Sequence, residues 1–189
     1  MNPPERAVSR TPDQYDAALG HCHDLFAKKT KDYGTAWRVL RPISIVDQIF
    51  IKAQRIRTIQ EKGAQRIGDD IRSEFIGIAN YAIIGLIQLQ LPEGSAEELP
   101  VDRTMDYYER AADAARALMH DKNHDYGEAW RSMSQESFTD LILMKLARIR
   151  QILANKGQTL VSEGIDANYY DILNYALFAL ILMDEGTHK

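Results

Sequence analysis

The amino-acid sequence predicts an all-α protein in which two tandem three-helix repeats pack as one pseudo-two-fold helical bundle. Two observations predict this fold. A polar and aromatic segment occurs twice, and the apolar residues around each copy recur at helical spacing, without an alternating strand pattern. The chain has 189 residues, which is enough for two repeats of about 90 residues that share one core.

The repeat is clearest where Asp32-Tyr33-Gly34-Thr35-Ala36-Trp37-Arg38 returns as Asp125-Tyr126-Gly127-Glu128-Ala129-Trp130-Arg131, with six of seven residues identical. The offset is 93 residues and becomes 94 after one insertion. At these offsets Lys52-x-x-Arg55 matches Lys145-x-x-Arg148, and Asn80-Tyr81 matches Asn174-Tyr175. The sequence therefore predicts repeat one at residues 1–91, a linker at 92–100 and repeat two at 101–189. Because polar residues are repeated, the duplicated unit is expected to include a site.

The first helix of each repeat is predicted at about residues 12–30 and 102–121, from apolar residues at helical spacing. Gly34 and Gly127 follow these helices. Each glycine either ends its helix in a left-handed conformation or belongs to a functional segment.

The second helix of each repeat is predicted to begin at Ser44 or Ser137. Each serine is followed three residues later by an Asp in the capping-box position. Each helix is predicted to end before a Lys-Gly pair, at Gly63 and Gly157.

The third helices, at about residues 69–91 and 162–184, are the most apolar and are expected to pack together at the centre. The run from Phe75 to Leu91 has 17 residues and includes three polar amides. A bilayer span needs about 20 predominantly apolar residues. A buried helix is therefore predicted, with no membrane partner.

Composition argues against several other classes. The single Cys excludes an internal disulfide, and the first ten residues contain no apolar signal region, so a cytoplasmic location is expected. The net charge of −4 gives no general electrostatic reason to bind duplex nucleic acid. The histidines at 21, 23, 120 and 124 are not repeated between the copies, so a zinc site is not favoured.

Two lysines occupy positions on the second helices where an apolar residue is expected. Lys52 lies within about 20° of the centre of its apolar stripe, and Lys145 repeats this placement. A buried ammonium group requires an anionic partner or an escape to solvent. Arg55 and Arg148 flank the same faces, so these four cations are predicted to bind phosphate. Structural ion pairs are the alternative.

Acidic residues on the third helices are the natural partners of these cations, and they are divided unequally between the repeats. Glu74 corresponds to Asn168, whereas Asp171 corresponds to Gly77. Carboxylates that face each other across a bundle can hold Mg²⁺ or Mn²⁺. Glu74 and Asp171 are therefore predicted at a metal site. Asp47 and Asp140 are further candidate ligands, with helix capping as the alternative. Residues at the starts of the third helices could add ligands, with favourable charge at a helix N-terminus as the alternative: Asp69, Asp70, Glu163 and Asp166.

The repeated aromatic segment is the candidate base-binding part. Aromatic rings beside an arginine can stack a base and hold a phosphate. The alternative is a helix stop with the tryptophan packed in the core. The predicted nucleotide-binding residues are Tyr33, Trp37, Arg38, Tyr126, Trp130 and Arg131.

Three motifs resemble the nucleotide-modification-associated domain family. They are Lys-x-x-Asp-Tyr-Gly at 29–34 and 122–127, the Lys-x-x-Arg helix, and Asp171-Ile-Leu-Asn174-Tyr175. That family distantly resembles the all-α nucleoside triphosphate pyrophosphohydrolases of the MazG and dimeric dUTPase types, in which Glu-x-x-Glu and a later Glu-x-x-Asp bind Mg²⁺. The resemblance implies that Glu74-x-x-Gly77 and Asn168-x-x-Asp171 each keep half of the later motif. The earlier motif has no match.

The sequence thus predicts a Mg²⁺-dependent nucleoside triphosphate pyrophosphohydrolase-like or nucleotide-binding protein with a small-molecule nucleotide partner. Glu74 and Asp171 would be the catalytic metal ligands. The alternative is a non-catalytic helical binding or assembly module, in which Lys52–Glu74 and Lys145–Asp171 are internal ion pairs. The number of pockets, the nucleotide and a homo-oligomeric state are left open.

Overall fold

The structure is a computed structural model of the chain, and it describes residues 9–63 and 70–189. Within these residues the chain forms six α-helices, two short 3₁₀ turns and no strand. The helices are α1 (Thr11–Tyr33), α2 (Pro42–Lys62), α3 (Ile71–Gln90), α4 (Val101–Tyr126), α5 (Gln135–Ala154) and α6 (Ile165–Asp184). The 3₁₀ turns, Ala36–Val39 and Ala129–Ser132, follow α1 and α4. The all-α prediction, with three helices in each repeat, is confirmed.

Glycines at positive φ end three of the helices. Gly34 and Gly127 follow α1 and α4 with φ values of 60° and 63°, and Gly63 follows α2 at 66°. Side chains with a Cβ atom rarely adopt this backbone conformation, so glycine is required at these positions. Gly34 and Gly127 thus end α1 and α4 as the helix-stop interpretation predicts, but their ψ values of −140° and −153° lie outside the left-handed helical conformation that it expected.

The predicted capping boxes at Ser44 and Ser137 are wrong. Helix α2 begins at Pro42, because proline has a φ suited to the first helical turn and needs no hydrogen-bond acceptor there. Helix α5 begins at Gln135, after Ser134, whose side chain accepts a hydrogen bond of 3.1 Å from the backbone N–H of Ser137. Asp47 and Asp140 therefore have no capping role.

Helices α3 and α6 pack against each other at the centre of the bundle, as the apolar third helices predicted. Helix α2 covers α3, α5 covers α6, and α2 and α5 also contact each other. Buried residues from both repeats form one hydrophobic cluster, so the repeats share a core. No helix in the described part of the chain combines the length and the apolarity that a bilayer crossing requires.

A reciprocal pair of buried hydrogen bonds joins the repeats and shows the pseudo-two-fold symmetry. The hydroxyl of Tyr15 in α1 donates to Asn174 Oδ1 in α6 at 2.7 Å. The hydroxyl of Tyr108 in α4 donates to Asn80 Oδ1 in α3 at 2.8 Å. Each asparagine amide then donates to a carbonyl oxygen in the first helix of its own repeat, at 3.1 and 3.2 Å. The repeated asparagines are thus explained by packing between the repeats.

Tyr15→Phe should lower the free energy of unfolding by about 1–3 kcal/mol, because it leaves the buried Asn174 oxygen without its donor. Urea denaturation followed by circular dichroism measures this change. Tyr170→Phe is the matched control, since the Tyr170 hydroxyl bonds to no described residue and its loss should change little. Equal losses in the two variants would contradict a role for the cross-repeat hydrogen bond.

Candidate functional site

A cavity of about 380 Å³ opens in repeat one between α1, α2, α3 and the 3₁₀ turn that follows α1. We call it the repeat-one cavity. One part of its wall is apolar and aromatic, and another part carries amines and an amide. The residues that line it include Phe26, Lys29, Thr30, Tyr33, Trp37, Lys52, Gly77, Asn80, Tyr81 and Ile84.

Two lysines bring positive charge to the repeat-one cavity. Lys52 Nζ lies 3.6 Å from Glu74 Oε2 and 5.9 Å from the centre of the Tyr81 ring. Glu74 is shared, because Arg55 Nη1 donates to its other oxygen at 2.6 Å. Lys29, near the end of α1, forms no ion pair with any residue of the described chain. The cavity wall therefore has a surplus of positive charge.

The equivalent lysines of repeat two are both neutralised by one carboxylate. Lys122 Nζ lies 2.7 Å from Asp171 Oδ1, and Lys145 Nζ lies 2.8 Å from Asp171 Oδ2. Burial by itself would raise the pKa of Asp171, but hydrogen bonds and charge from the two lysines outweigh it and hold the pKa below its ordinary value. The two lysine positions thus form a clamp that holds an anion.

Gly77 stands in repeat one where Asp171 stands in repeat two. A Cβ atom at Gly77 would lie 2.9 Å from Lys52 Cε, so the lysine side chain passes directly over this part of α3. No side chain of Gly77 can supply an anion between Lys29 and Lys52. Repeat one therefore keeps both lysines and lacks a carboxylate at position 77, while Glu74, one turn earlier in α3, pairs with Lys52.

The six predicted base-binding residues fall into different environments. Trp37 and Tyr33 line the repeat-one cavity, and Tyr33 is 71% exposed. In repeat two, Trp130 is buried, whereas Tyr126 is 78% exposed. Among the described residues, Tyr33 and Trp37 of repeat one thus lie at the same cavity as Lys29, whereas Tyr126 and Trp130 do not line it.

The two predicted arginines are held by structural partners. Arg38 Nε and Nη2 donate to the linker carbonyl oxygens of Ala96 and Ser95, both at 3.1 Å. Arg131 pairs with Glu128 at 2.8 Å and with Glu185 at 3.3 Å. Neither guanidinium is presented to the repeat-one cavity, so the arginines are assigned to holding the linker and the chain ends in place.

The predicted metal ligands do not converge. Asp47 in α2 pairs with Arg150 in α5 at 2.9 Å. The equivalent Asp140 in α5 pairs with Arg57 in α2 at 3.6 Å, so the two ion pairs are reciprocal. Asp70 caps α3, and the backbone N–H of Ser73 is the main cause that lowers its pKa. The prediction for Asp69 lies outside the described residues.

Glu74 and Asp171 each form ion pairs with cations of their own repeat. They do not face each other across a shared site. Nowhere in the described ranges do three His, Cys, Asp or Glu side chains group as a metal site. Mg²⁺ prefers several oxygen ligands, including carboxylates. Glu74 and Asp171 therefore do not meet in one donor set, and binding of Mg²⁺ or Mn²⁺ stays a prediction.

Sequence reasoning found Lys52 but gave no separate role to Lys29, and it interpreted Gly77 as a lost metal ligand. Arg148, predicted to bind phosphate, is exposed, and its Nη2 atom contacts Met144 Sδ at 3.9 Å. The useful signal was in the positions at which the repeats differ. A difference such as Gly77 against Asp171 marks where one repeat can accept a ligand.

Comparison with known proteins gives one informative result. A search of curated proteins and a search of solved structures each returned no match. The distant resemblance to the pyrophosphohydrolases therefore stays a prediction. The family model for nucleotide modification associated domain 1 matches residues 29–89 and 122–183, one segment in each repeat and together more than half of the chain. These two matches begin at the clamp lysines Lys29 and Lys122, and they show that the chain belongs to the nucleotide modification associated domain 1 family as a tandem duplicate.

Proposed function

We propose that the chain binds a nucleotide through a phosphate group, at one site in the repeat-one cavity. A single observation carries the proposal. Lys122 and Lys145 hold the carboxylate of Asp171, whereas the equivalent Lys29 and Lys52 line a cavity in which Gly77, without a side chain, takes the place of Asp171. A phosphate group between Lys29 and Lys52 would take the place that the carboxylate has in repeat two. The nucleotide association in the family's name supports the same class of ligand.

The physical basis is the strength of charge-assisted hydrogen bonds. An ammonium donor and a phosphate oxygen form shorter and stronger hydrogen bonds than neutral groups do. Lys52 is held in place, because it lies over α3 and contacts Glu74 and Tyr81. Lys29 is exposed at the cavity and supplies the second donor. In this arrangement one ammonium group is pre-positioned and the other closes on the ligand.

The proposal is for binding and not for metal-dependent hydrolysis. Hydrolysis of a nucleoside triphosphate with Mg²⁺ needs carboxylates that share an ion, and Glu74 and Asp171 instead neutralise lysines of their own repeats. The structure contains both ion pairs of the alternative assembly-module hypothesis. Those pairs have an immediate structural role. A purely structural function does not explain the cavity or Lys29, which has no ion-pair partner within residues 9–63 and 70–189.

Lys29→Met should weaken nucleotide binding roughly 10- to 100-fold, since it removes one charge-assisted hydrogen bond. Isothermal titration calorimetry with mono-, di- and triphosphates of nucleosides, with and without Mg²⁺, measures the affinity. Thermal unfolding gives an independent readout, because a ligand that binds only the folded state raises the melting temperature.

Lys28→Met is the matched control, since it removes the same charge from the neighbouring exposed position outside the cavity wall. It should bind nucleotide as the wild type does. If the two variants lost equal affinity, the effect would be one of net charge and the site would be wrong. If no nucleotide bound the wild type under any condition, the proposed function would be wrong.

A further inference from the structure

We infer that the ligand of the repeat-one cavity is a nucleoside monophosphate whose base stacks on Trp37. This inference rests on the proposed phosphate site and adds the rest of the ligand. Repeat two is informative because its own side chains supply three features that the equivalent residues of repeat one do not supply. Those positions hold an anion, a flat ring and a hydrogen-bond acceptor, which are features of a nucleotide.

The flat ring of repeat two belongs to Phe178. Its ring lies parallel to the indole of Trp130, with ring centres 4.3 Å apart and an angle of 7° between the planes. In repeat one, Ile84 replaces Phe178, and both Ile84 and Trp37 line the cavity. Without the phenyl ring, Trp37 lines the cavity with the tilted Phe26 ring as its aromatic neighbour in the described chain, at 6.5 Å between ring centres, and no ring is stacked parallel to it. Stacking on an aromatic side chain is a general way to hold a base.

The hydrogen-bond acceptor of repeat two belongs to Asn123. Trp130 Nε1 donates to Asn123 Oδ1 at 3.2 Å. Thr30 replaces Asn123 in repeat one, and its hydroxyl instead donates to the carbonyl oxygen of Phe26 at 2.8 Å. Trp37 Nε1 consequently has no acceptor among the described residues. An acceptor atom on the ligand would satisfy this donor.

The order of these positions along α3 suits a nucleotide. Gly77 and Ile84 are seven residues apart on one helix, so they lie on the same face and about 10 Å apart along its axis. The phosphate position is at the first residue and the ring position is at the second. The separation leaves room for a sugar between phosphate and base.

Charge favours a single phosphate group. A phosphate monoester carries a charge of about −1.5 to −2 at pH 7, and the charged residues that line the cavity are Lys29 and Lys52. Lys29 forms no ion pair in the described chain, and Lys52 shares Glu74 with Arg55, so the small surplus of positive charge suits one monoester. Each further phosphate would add negative charge for which the cavity wall supplies no cation, and the described residues bring no acidic cluster that would hold a compensating metal ion.

The test compares nucleoside 5′-monophosphates, ribose 5-phosphate, inorganic phosphate and nucleoside triphosphates on the full chain by calorimetry without Mg²⁺. The wild type should prefer one monophosphate over ribose 5-phosphate by roughly tenfold or more, the contribution of a stacked base. Ile84→Phe, which restores the ring found in repeat two, should remove this preference and leave the affinity for inorganic phosphate unchanged.

Tryptophan fluorescence provides a readout that does not depend on how Ile84→Phe folds. The chain has two tryptophans, and Trp130 is already stacked and buried. A bound base should quench the emission of Trp37, ribose 5-phosphate should not, and Trp37→Leu should lose the quenching.

Several results would overturn the inference while the phosphate site stands. They are equal affinity for ribose 5-phosphate and every monophosphate, unchanged base preference in Ile84→Phe, and tighter binding of a triphosphate than of its monophosphate. A failure of all phosphate compounds, inorganic phosphate included, would instead overturn the proposed function itself.

Discussion

Gly77→Asp is expected to abolish nucleotide binding, because it restores in repeat one the carboxylate that occupies the lysine clamp of repeat two. The new carboxylate would pair with Lys29 and Lys52, as Asp171 pairs with Lys122 and Lys145 at 2.7 and 2.8 Å. Each charge-assisted hydrogen bond that the ligand loses is worth about 1.5–3 kcal/mol. Loss of two should therefore weaken binding at least about 100-fold, measured by calorimetry.

The fold should tolerate Gly77→Asp. The nearest atoms to a Cβ at position 77 are Cε, Cδ and Nζ of Lys52, the mobile end of a flexible side chain. In repeat two, Lys145 and Asp171 form this pair between α5 and α6, the helices equivalent to α2 and α3. Pairing with the lysines would stabilise the variant, and repulsion from Glu74 three residues away would oppose this gain, so it should melt close to the wild-type temperature in the absence of ligand.

Gly20→Asp is the matched control, because it makes the same substitution in a helix, in open space outside the cavity wall. It should retain nucleotide binding. Full affinity in Gly77→Asp would place the ligand elsewhere and would contradict the comparison of the repeats on which the site rests.

Asp171→Asn is expected to lower the free energy of unfolding by about 3 kcal/mol, the cost of breaking a buried ion pair from one side. Lys145 is 8% exposed and would lose its carboxylate. Denaturant unfolding measures the change. Asp140→Asn makes the same substitution in the more exposed Arg57 pair and should cost less than about 1 kcal/mol. Similar losses in the two variants would contradict a special role for Asp171.

Lowering the pH should weaken the ion pairs of Asp171 with Lys122 and Lys145 in the wild type, because it protonates the carboxylate. The pKa of Asp171 is lowered in the folded chain, below its ordinary value of 3.8. Its contribution to stability is therefore complete above that ordinary value and is lost as the pH falls through the lowered one. The stability difference between wild type and Asp171→Asn should be large near pH 7 and should shrink below about pH 4. A difference that did not change with pH would contradict this assignment.

Much of the fold was predictable because the repeat and the helical spacing are local signals. Gly34, Gly63 and Gly127 mark helix ends by backbone geometry that follows from residue type. The capping-box predictions were wrong because Ser-x-x-Asp is a short motif that also occurs inside helices, as it does here in α2 and α5. Pro42 and Ser134, which lie just before it, supplied stronger start signals.

The candidate site was predictable only in part. Lys52 and Lys145 were recognised because a cation in an apolar stripe requires a partner, and the structure gives each its partner. The composite metal site was not found in the described chain, because residues at equivalent repeat positions are related by the pseudo-two-fold and need not meet. Glu74 pairs with Lys52 and Arg55 in repeat one, and Asp171 pairs with Lys122 and Lys145 in repeat two. Asp47 and Asp140 lie in surface pairs between α2 and α5.

The sequence by itself determined the all-α class, the duplication and the positions at which the two repeats differ, because these depend on residue type and spacing along the chain. Only the tertiary structure decided what each difference means. Packing of α1, α2 and α3 brings Lys29, Lys52 and Trp37 to one cavity, and the same packing in repeat two lets Asp171 and Phe178 fill the equivalent positions. Side-chain contacts between helices, which no local pattern specifies, thus decide that the site is filled by the protein's own side chains in repeat two and forms a cavity in repeat one.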